Sequence, residues 1–205
     1  RTDRARVILV EAGPSILANF GSGLSEKAVQ GLERIGVEVR LGQPITGMDE
    51  RAVQLGGERI PTRTILWAAG VSAVPLGAGL GLPVDRLGRV IVEPDLSVPG
   101  HPEVFVVGDL AAFPHGAGDP LPGVAPVAIQ QGAWAAANLQ ATLAGRPRQP
   151  FHYRDKGSMA TLGRGRAVAR VGGLSFTGYP AWLAWLFIHL MLLVDFRSRV
   201  FVFFE

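Results

Sequence analysis

Residues 103–109 read EVFVVGD, a run of β-forming side chains that ends in a glycine and a single aspartate. This run predicts a buried strand over residues 103–107. In doubly wound sheets, ligands bind beyond the carboxyl ends of the strands. Gly108 has no Cβ and lets a ligand approach the backbone, and the Asp109 carboxylate can accept hydrogen bonds from hydroxyl groups. The ordinary alternative is an aspartate that caps the next segment, and the dipeptide alone leaves both interpretations open.

The composition limits the classes of protein to consider. The 205 residues suit one large domain or two small lobes, and 48% hydrophobic residues are enough for a core. The net charge of +3 is spread along the chain and does not indicate a nucleic-acid partner. The absence of cysteine excludes disulfides, thiolate metal sites and a redox dithiol, and the four histidines have no zinc-ligand spacing, so no metal site is expected. The chain has no signal peptide and no initiator methionine, and we therefore expect a fragment of a longer protein.

Outward from EVFVVGD, the pattern predicts an α/β fold. Toward the N-terminus, strands at Val7–Glu11 and Val37–Leu41 flank a helix that Ser25 can cap and Gly36 can stop, which is typical of a parallel crossover. Short strands are predicted next, around the Gly56-Gly57 turn and before EVFVVGD, at residues 45–49, 52–55, 64–68 and 89–93.

Toward the C-terminus, the alanine-rich stretch Ala125–Leu143 predicts a long helix that ends at Gly145. Two strands then follow around the turn Gly-Arg-Gly in MATLGRGRAVARVGG.

The order of these motifs carries more information than any one of them. LWAAGV and VEPDLSVPGHPEV precede VFVVGDLA, and APVAIQQGAWAAANL follows it. This order resembles the two-dinucleotide-binding-domain flavoproteins. The tail YRDKGSMATLGRGRAVARV, followed by a tryptophan-rich apolar helix, resembles type II NADH dehydrogenases in particular.

The resemblance implies part of a two-Rossmann-domain α/β flavoprotein with a C-terminal amphipathic, membrane-anchoring helical segment. Residues 1–100 would be part of the nicotinamide-dinucleotide domain and residues 101–155 the C-terminal part of the FAD domain. Residues 156–205 would form the quinone-site and anchor region.

The same resemblance implies FAD and NADH as cofactors and quinone as the electron acceptor. It makes Gly108 and Asp109 the flavin ribityl site and Ala128 a backbone contact of the flavin, at the start of a helix whose positive dipole end favours reduced flavin.

Gln130, Lys156 and Met159 would lie near the quinone and the flavin ring. The residue types agree in part, because an ammonium group stabilises developing negative charge and an amide donates to a carbonyl. The ordinary alternative for Lys156 is a solvated lysine in a turn. Pro126 stands where the family often carries a glutamine, which removes one donor from that pattern.

Two short stretches are predicted to contact the nicotinamide dinucleotide. Glu11 closes a strand, and an acid at the second strand of such a fold binds the adenosine ribose hydroxyls, which favours NADH over NADPH. Its ordinary alternative is a surface acid in a turn before Gly13. Ala69 and Gly70 would allow a close backbone approach to the dinucleotide or serve helix–sheet packing. Neither glycine-rich phosphate loop of this superfamily is present, so we expect the chain to begin after both and to be inactive alone.

The tail is apolar but short for a membrane span. Residues 181–194 are 14 uncharged residues, about 21 Å of helix against about 30 Å of hydrocarbon. With Trp182, Trp185 and the following arginines, they predict an in-plane anchor on one leaflet. A buried helix or a dimer interface is the alternative, and a homodimer stays open.

We therefore expect an enzyme that passes electrons from NADH to membrane quinone without pumping protons, bound peripherally at the cytoplasmic face of the cell membrane. One rival is a soluble flavoprotein reductase of the ferredoxin, rubredoxin or nitrite reductase type. The other is a membrane-surface binding module that has lost catalysis.

Overall fold

The computed structural model describes residues 5–114 and 120–192. The chain folds as two compact units. One unit consists of the residues up to Leu66 together with those from Lys156 onward, and the other is Trp67–Asp155.

The first unit opens with the predicted strand–helix–strand crossover. Strand β1 (Val7–Glu11) and strand β2 (Val37–Leu41) are parallel and in register over all five pairs, with helix α1 (Ser22–Glu33) between them in sequence. The helix begins at Ser22 after Gly21, whose φ of 84° suits only glycine well. The predicted cap at Ser25 is therefore wrong, because this residue lies inside the helix and is buried.

Three short antiparallel strands follow: β3 (Ile45–Asp49), β4 (Ala52–Leu55) and β5 (Glu58–Pro61). The predicted strand at 64–68 is wrong. The Gly56-Gly57 turn is a two-residue hairpin that pairs Leu55 with Glu58, so the third strand starts immediately after the turn. Residues 64–68 have no strand structure, and the Leu66 side chain is 90% exposed.

The remainder of the first unit is a second antiparallel sheet with a helix on it. Strands β10 (Ser158–Gly163) and β11 (Arg166–Val171) turn at Gly163-Arg164-Gly165 as predicted, and β12 (Leu174–Gly178) pairs with β11. Helix α4 (Tyr179–Leu192) buries Ala181 against the alanines of β11. Helix α1 packs on this sheet too, because Ala28 and Val168 share one buried cluster.

The second unit contains the EVFVVGD stretch and the long helix. In chain order, its elements are α2 (Leu76–Gly79), β6 (Val90–Ile91), β7 (Ser97–Val98), β8 (His101–Phe105), a 3-10 turn (Gly108–Leu110), β9 (Ala111–Ala112) and α3 (Ala125–Leu143). Strands β6 and β9 are parallel, and β7 and β8 form an antiparallel hairpin. Helix α3 has the predicted bounds, and Gly145 follows its end with a φ of 65°.

Two predicted strands differ from the observed ones. The strand at 89–93 is reduced to Val90–Ile91. The strand at 103–107 is observed at His101–Phe105, because the hairpin turn at Gly100 starts the pairing at His101. It is also mostly exposed rather than buried, since a two-stranded hairpin covers only part of its surface.

The core of the second unit is formed by strands β6, β7 and β9, the loops around them and helix α3. Its buried side chains are Val90, Val92, Leu96, Val98, Val106, Ala111, Phe113, Leu121, Val127 and Phe151. The Phe151 ring packs edge-on against Phe113 and Trp134, with centroid distances of 5.2 and 6.0 Å. This packing links Phe113, which follows the 3-10 turn, to helix α3 through Phe151.

None of the helices in the described parts of the chain is both long and apolar enough to cross a bilayer. Residues 193–205, with the arginines predicted to meet lipid, lie outside the described residues, as do residues 1–4 and 115–119. The domain boundaries at residues 100 and 155 refer to the parent protein and stay a prediction.

Candidate functional site

The Gly108–Leu110 turn packs closely on helix α3. Gly108 has a φ of 70°, and a Cβ placed there would lie 3.3 Å from the Cβ of Ala128. The Gly108 amide donates to Oε1 of Gln131 over 2.7 Å. The glycine is therefore required both by its backbone conformation and by the closeness of the helix.

The Asp109 carboxylate projects from this turn and is exposed. Its Oδ1 lies beside Gly123, where an added Cβ would come within 3.1 Å. Within residues 5–114 and 120–192, the structure gives this carboxylate no hydrogen bond and no ion pair. An aspartate that capped the following segment would accept hydrogen bonds from its amides, and no such bond is present among the described residues.

Gln131 was missed by the sequence analysis. Its side chain is fully buried, its Oε1 accepts the Gly108 amide, and its Nε2 has no hydrogen-bond partner among the described residues. The signal was the helical period, because position 131 is one turn from Val127 on the buried face of α3.

Gln130, predicted to lie near quinone, is bonded within the second unit. Its Nε2 donates to the carbonyl oxygens of Pro126 and Arg154 at 3.0 and 3.1 Å, and its Oε1 accepts the Arg154 amide at 3.1 Å. Both amide hydrogens are used in this arrangement. Gln130 therefore holds the backbone at residue 154, and its role toward quinone stays a prediction.

The N-terminus of α3 offers few free amides. Pro126 has no N–H, and the amides of Val127 and Ala128 donate to the carbonyl oxygen of Val124 at 3.0 and 3.2 Å. A contact of Ala128 with a ligand would therefore be made by its methyl group or its carbonyl oxygen, not by its amide.

Glu11 closes β1 in the first unit, as predicted. Its Oε1 accepts the Gly13 amide at 2.7 Å, which fixes the turn after the strand. The turn role and the ribose role are compatible, since the second carboxylate oxygen has no partner within the described residues.

Lys156 and Met159 also belong to the first unit. Lys156 is exposed, and Met159 packs beside the buried alanines Ala167, Ala169 and Ala181. The contacts of Met159 are those of a core residue, and its predicted redox-site role is not needed to explain them.

Ala69 and Gly70 are exposed in a segment without regular structure. Gly70 has a φ of 99°, and no atom lies within 4 Å of the position its Cβ would take. The predicted packing alternative therefore has no support in the described residues, and the predicted dinucleotide contact stays a prediction.

The structure brings together Gly108, Asp109 and Ala128 of the predicted flavin group, with Gln130 on the same helix. Glu11, Lys156 and Met159 lie in the other unit. Among the described residues, no three His, Asp or Glu side chains are grouped to hold a metal ion.

A comparison with protein families shows which family the chain belongs to. The profile of the family described as pyridine nucleotide-disulphide oxidoreductase matches residues 2–132. The chain belongs to that family. The match runs from the start of the first unit through the Gly108–Leu110 turn and into α3.

The curated relatives of this chain belong to one subgroup, the type II NADH:quinone oxidoreductases. The chain is 47% identical over 209 aligned residues to type II NADH:quinone oxidoreductase NdhA of Mycobacterium tuberculosis, covering 95% of this chain and 43% of that protein. It is 36% identical to a type II NADH:quinone oxidoreductase of Staphylococcus saprophyticus, covering 87% and 45%. The predicted resemblance to type II NADH dehydrogenases is confirmed, and the chain spans less than half the length of these relatives.

A solved structure supports the architecture. NDH2 from Plasmodium falciparum in complex with NADH matches with a TM-score of 0.80 at 15% identity, over 98% of this chain and 57% of that chain. This likeness shows the fold, and the predicted α/β, Rossmann-like class is confirmed.

Proposed function

We propose that this chain is the C-terminal part of a type II NADH:quinone oxidoreductase. The whole protein would bind FAD and NADH and pass electrons to membrane quinone without pumping protons. The observation that carries the proposal is the 47% identity to such an enzyme over 95% of the chain. The domain ranges 1–100, 101–155 and 156–205 are proposed for the parent protein.

The Gly108–Leu110 turn fits part of a flavin nucleotide site. Gly108 lets the turn lie close against Ala128 of helix α3. Among the described residues, the exposed Asp109 carboxylate has no partner and can accept ribityl hydroxyls, and the buried Nε2 group of Gln131 has no acceptor. When bound, the flavin would supply the two-electron chemistry between hydride donor and quinone. The protein's part here is to hold and orient it.

Glu11 would select the nicotinamide nucleotide. It stands at the carboxyl end of β1, where such folds bind the adenosine ribose. Its Oε1 is held by the Gly13 amide, which orients the carboxylate. The carboxylate would accept hydrogen bonds from the ribose hydroxyls, and its negative charge would repel the 2′-phosphate of NADPH. Both effects favour NADH.

Quinone reduction would involve the ammonium group of Lys156, and the family resemblance also implicates Gln130 and Met159. A cation near the quinone oxygen would stabilise the negative charge that develops during reduction. The exposure of Lys156 is compatible with this role.

Helix α4 would place the enzyme at the membrane surface, on its cytoplasmic face. The 14 residues of α4 include no Asp, Glu, Lys or Arg, so this helix is apolar rather than amphipathic within the described residues. Its exposed apolar side chains include Leu183, Phe187, Ile188, Met191 and Leu192. The predicted amphipathic character is therefore wrong for α4, and the proposed membrane contact rests on these exposed apolar side chains and on tryptophans, which favour the membrane–water interface.

Steady-state kinetics of the full-length protein test this proposal. We expect oxidation of NADH with menaquinone or ubiquinone analogues, at a much higher kcat/KM than for NADPH. Glu11→Gln keeps an acceptor for Gly13 but removes the charge, so the preference for NADH over NADPH should fall by about tenfold, near 1.4 kcal/mol. An exposed acid on the same unit, Glu26→Gln, is the control. A protein that reduces no quinone, or a preference unchanged by Glu11→Gln, would contradict the proposal.

The soluble reductase alternative is not favoured, because the curated relatives at 35–47% identity are named for quinone. A ferredoxin reductase from Rhodopseudomonas palustris matches at 19% identity, which shows a shared fold alone. The non-catalytic binding module would require that the parent protein bind no flavin.

A further inference from the structure

Gln131 has contacts that the packing of helix α3 alone does not explain. The side chain is fully buried, and Oε1 accepts the Gly108 amide at 2.7 Å. Its Nε2 group is equally buried and has no acceptor among the described residues. Buried donors of native proteins are nearly always paired, so an acceptor from outside the described residues is expected here.

Asn138, on the same buried face of α3, provides an internal comparison. Its Nδ2 donates to the carbonyl oxygens of Asp95 and Gln149, and its Oδ1 accepts the Gln149 amide. Among the described residues, both ends of the Asn138 amide side chain therefore have partners, whereas only one end of the Gln131 side chain does. The unsatisfied one is next to the turn that carries Asp109.

The bond from Gly108 to Gln131 fixes the conformation of that turn. Gly108 has a left-handed φ of 70° and lies against Ala128. Asp109, the next residue, is exposed and has no partner within the described residues. The direction of its carboxylate therefore depends on the turn, and the turn depends on the Gln131 acceptor.

We propose that Gln131 is a positioning residue for flavin binding: its Oε1 holds the Gly108 amide, and this bond aims the Asp109 carboxylate at the ribityl hydroxyls. The proposal rests on the proposed function, since the ligand at Asp109 is FAD. Gln131 acts through Gly108 and is not itself a catalytic residue.

The test compares three variants of the full-length protein. Gln131→Met is close in size and has no acceptor oxygen for the amide. Gln131→Glu keeps an acceptor at the same place and is the conservative rescue. Gln140→Met makes the same chemical change at an exposed position of the same helix and is the matched control.

Two readouts are measured. The first is hydrogen exchange of peptides that contain the Gly108 amide, in protein from which FAD has been removed. The second is the dissociation constant for added FAD, with visible circular dichroism of the bound flavin. For Gln131→Met, we expect faster exchange at Gly108, a dissociation constant about three- to tenfold higher, and an altered flavin dichroism.

Gln131→Glu should give exchange and affinity nearer to the wild-type protein than Gln131→Met does, and Gln140→Met should match the wild-type protein. The proposal is overturned if Gln131→Met exchanges and binds FAD like Gln140→Met, or if Gln131→Glu is no closer to wild type than Gln131→Met. If the wild-type protein binds no FAD, the proposed function fails, and the exchange at Gly108 still decides whether Gln131 holds the turn.

Discussion

At the scale of single residues, Asp95 joins two segments of the second unit that are distant in sequence. Its Oδ1 accepts the Ser97 amide and hydroxyl at 3.1 and 2.6 Å, and its Oδ2 pairs with Arg148 at 3.2 Å. Arg148 also donates to the Pro102 carbonyl and lies over the Phe105 ring. One carboxylate thus connects the β7–β8 hairpin to the segment after α3.

These contacts give the second unit a dependence on pH. Burial alone would raise the pKa of Asp95, but the hydrogen bonds from Ser97 and Arg148 outweigh it and lower the pKa below its ordinary value. Because the folded-state pKa is the lower one, the stabilisation is complete above the ordinary aspartate pKa of about 4. It is lost as the pH falls through the folded-state pKa.

Asp95→Asn should therefore lower the free energy of unfolding of the second unit by about 1–3 kcal/mol at pH 7, because charged hydrogen bonds are lost. The difference from wild type should shrink toward pH 3. Urea unfolding followed by tryptophan fluorescence measures both, with the exposed Glu103→Gln as a control that changes stability by less than about 0.5 kcal/mol. An equal loss at pH 3 and pH 7 would contradict the assignment of the effect to the carboxylate.

At the scale of elements, strands β1 to β4 were predicted with their observed bounds, whereas three later strands were wrong, shortened or displaced. Helix α3 was predicted with its observed bounds, since Pro126 marks its first turn and Gly145 its end. The predicted strand at 64–68 is wrong because an apolar run does not by itself show that a strand has a pairing partner. The Gly56-Gly57 turn pairs β4 with Glu58–Pro61 instead. Strand β8 was displaced because its pairing starts from the turn at Gly100.

The candidate site could be predicted only in part for a similar reason. Gly108 and Asp109 are recognisable because a glycine and an acid after an apolar run are visible in the sequence. Gln131 was missed, and the bonds that occupy Gln130 were not foreseen, because neighbouring glutamines on one helix differ only in which face they occupy. The difference arises from packing against elements distant in sequence.

The hairpin that begins at Ser158 provides a prediction about an element. Gly157 has a φ of 95°, and a Cβ there would clash with the Arg170 carbonyl. Gly157→Ala should destabilise the first unit by about 3 kcal/mol or more, from backbone strain and the clash together. Gly23 lies within α1 with open space around it, so Gly23→Ala should stabilise by about 0.5–1 kcal/mol.

Thermal unfolding of both variants in the full-length protein measures this contrast. Tolerance of alanine at residue 157, at the level seen for residue 23, would show that β10 does not start as described. The pair also separates strain from a general effect of removing glycine, because the chemical change is the same in both.

At the scale of the whole molecule, helix α4 is the part that we propose to bind the membrane surface. Phe187 is 63% exposed on this apolar helix. Phe187→Glu would place a charged side chain at the surface that we propose to contact lipid. We expect this variant of the full-length protein to bind vesicles of anionic and zwitterionic lipid at least about tenfold more weakly, because burying a charge at a lipid surface is unfavourable. Flotation with the vesicles measures the bound fraction.

Leu143→Glu is the matched control, since Leu143 is 80% exposed at the end of α3. Light scattering of both variants tests the dimer alternative for α4. A change of oligomeric state in Phe187→Glu without a change in vesicle binding would assign the helix to a subunit interface instead.

The central claim is that the Gly108–Asp109 turn holds a flavin, and the visible absorption spectrum of the purified full-length protein tests it most directly. Asp109 has no partner in the described structure, so Asp109→Ala should change stability by less than about 0.5 kcal/mol while lowering the bound flavin. We predict flavin absorption bands in the wild-type protein and their loss on gel filtration of Asp109→Ala. A wild-type protein that stays colourless after incubation with FAD, or an Asp109→Ala variant that retains its full complement of flavin, would contradict the account.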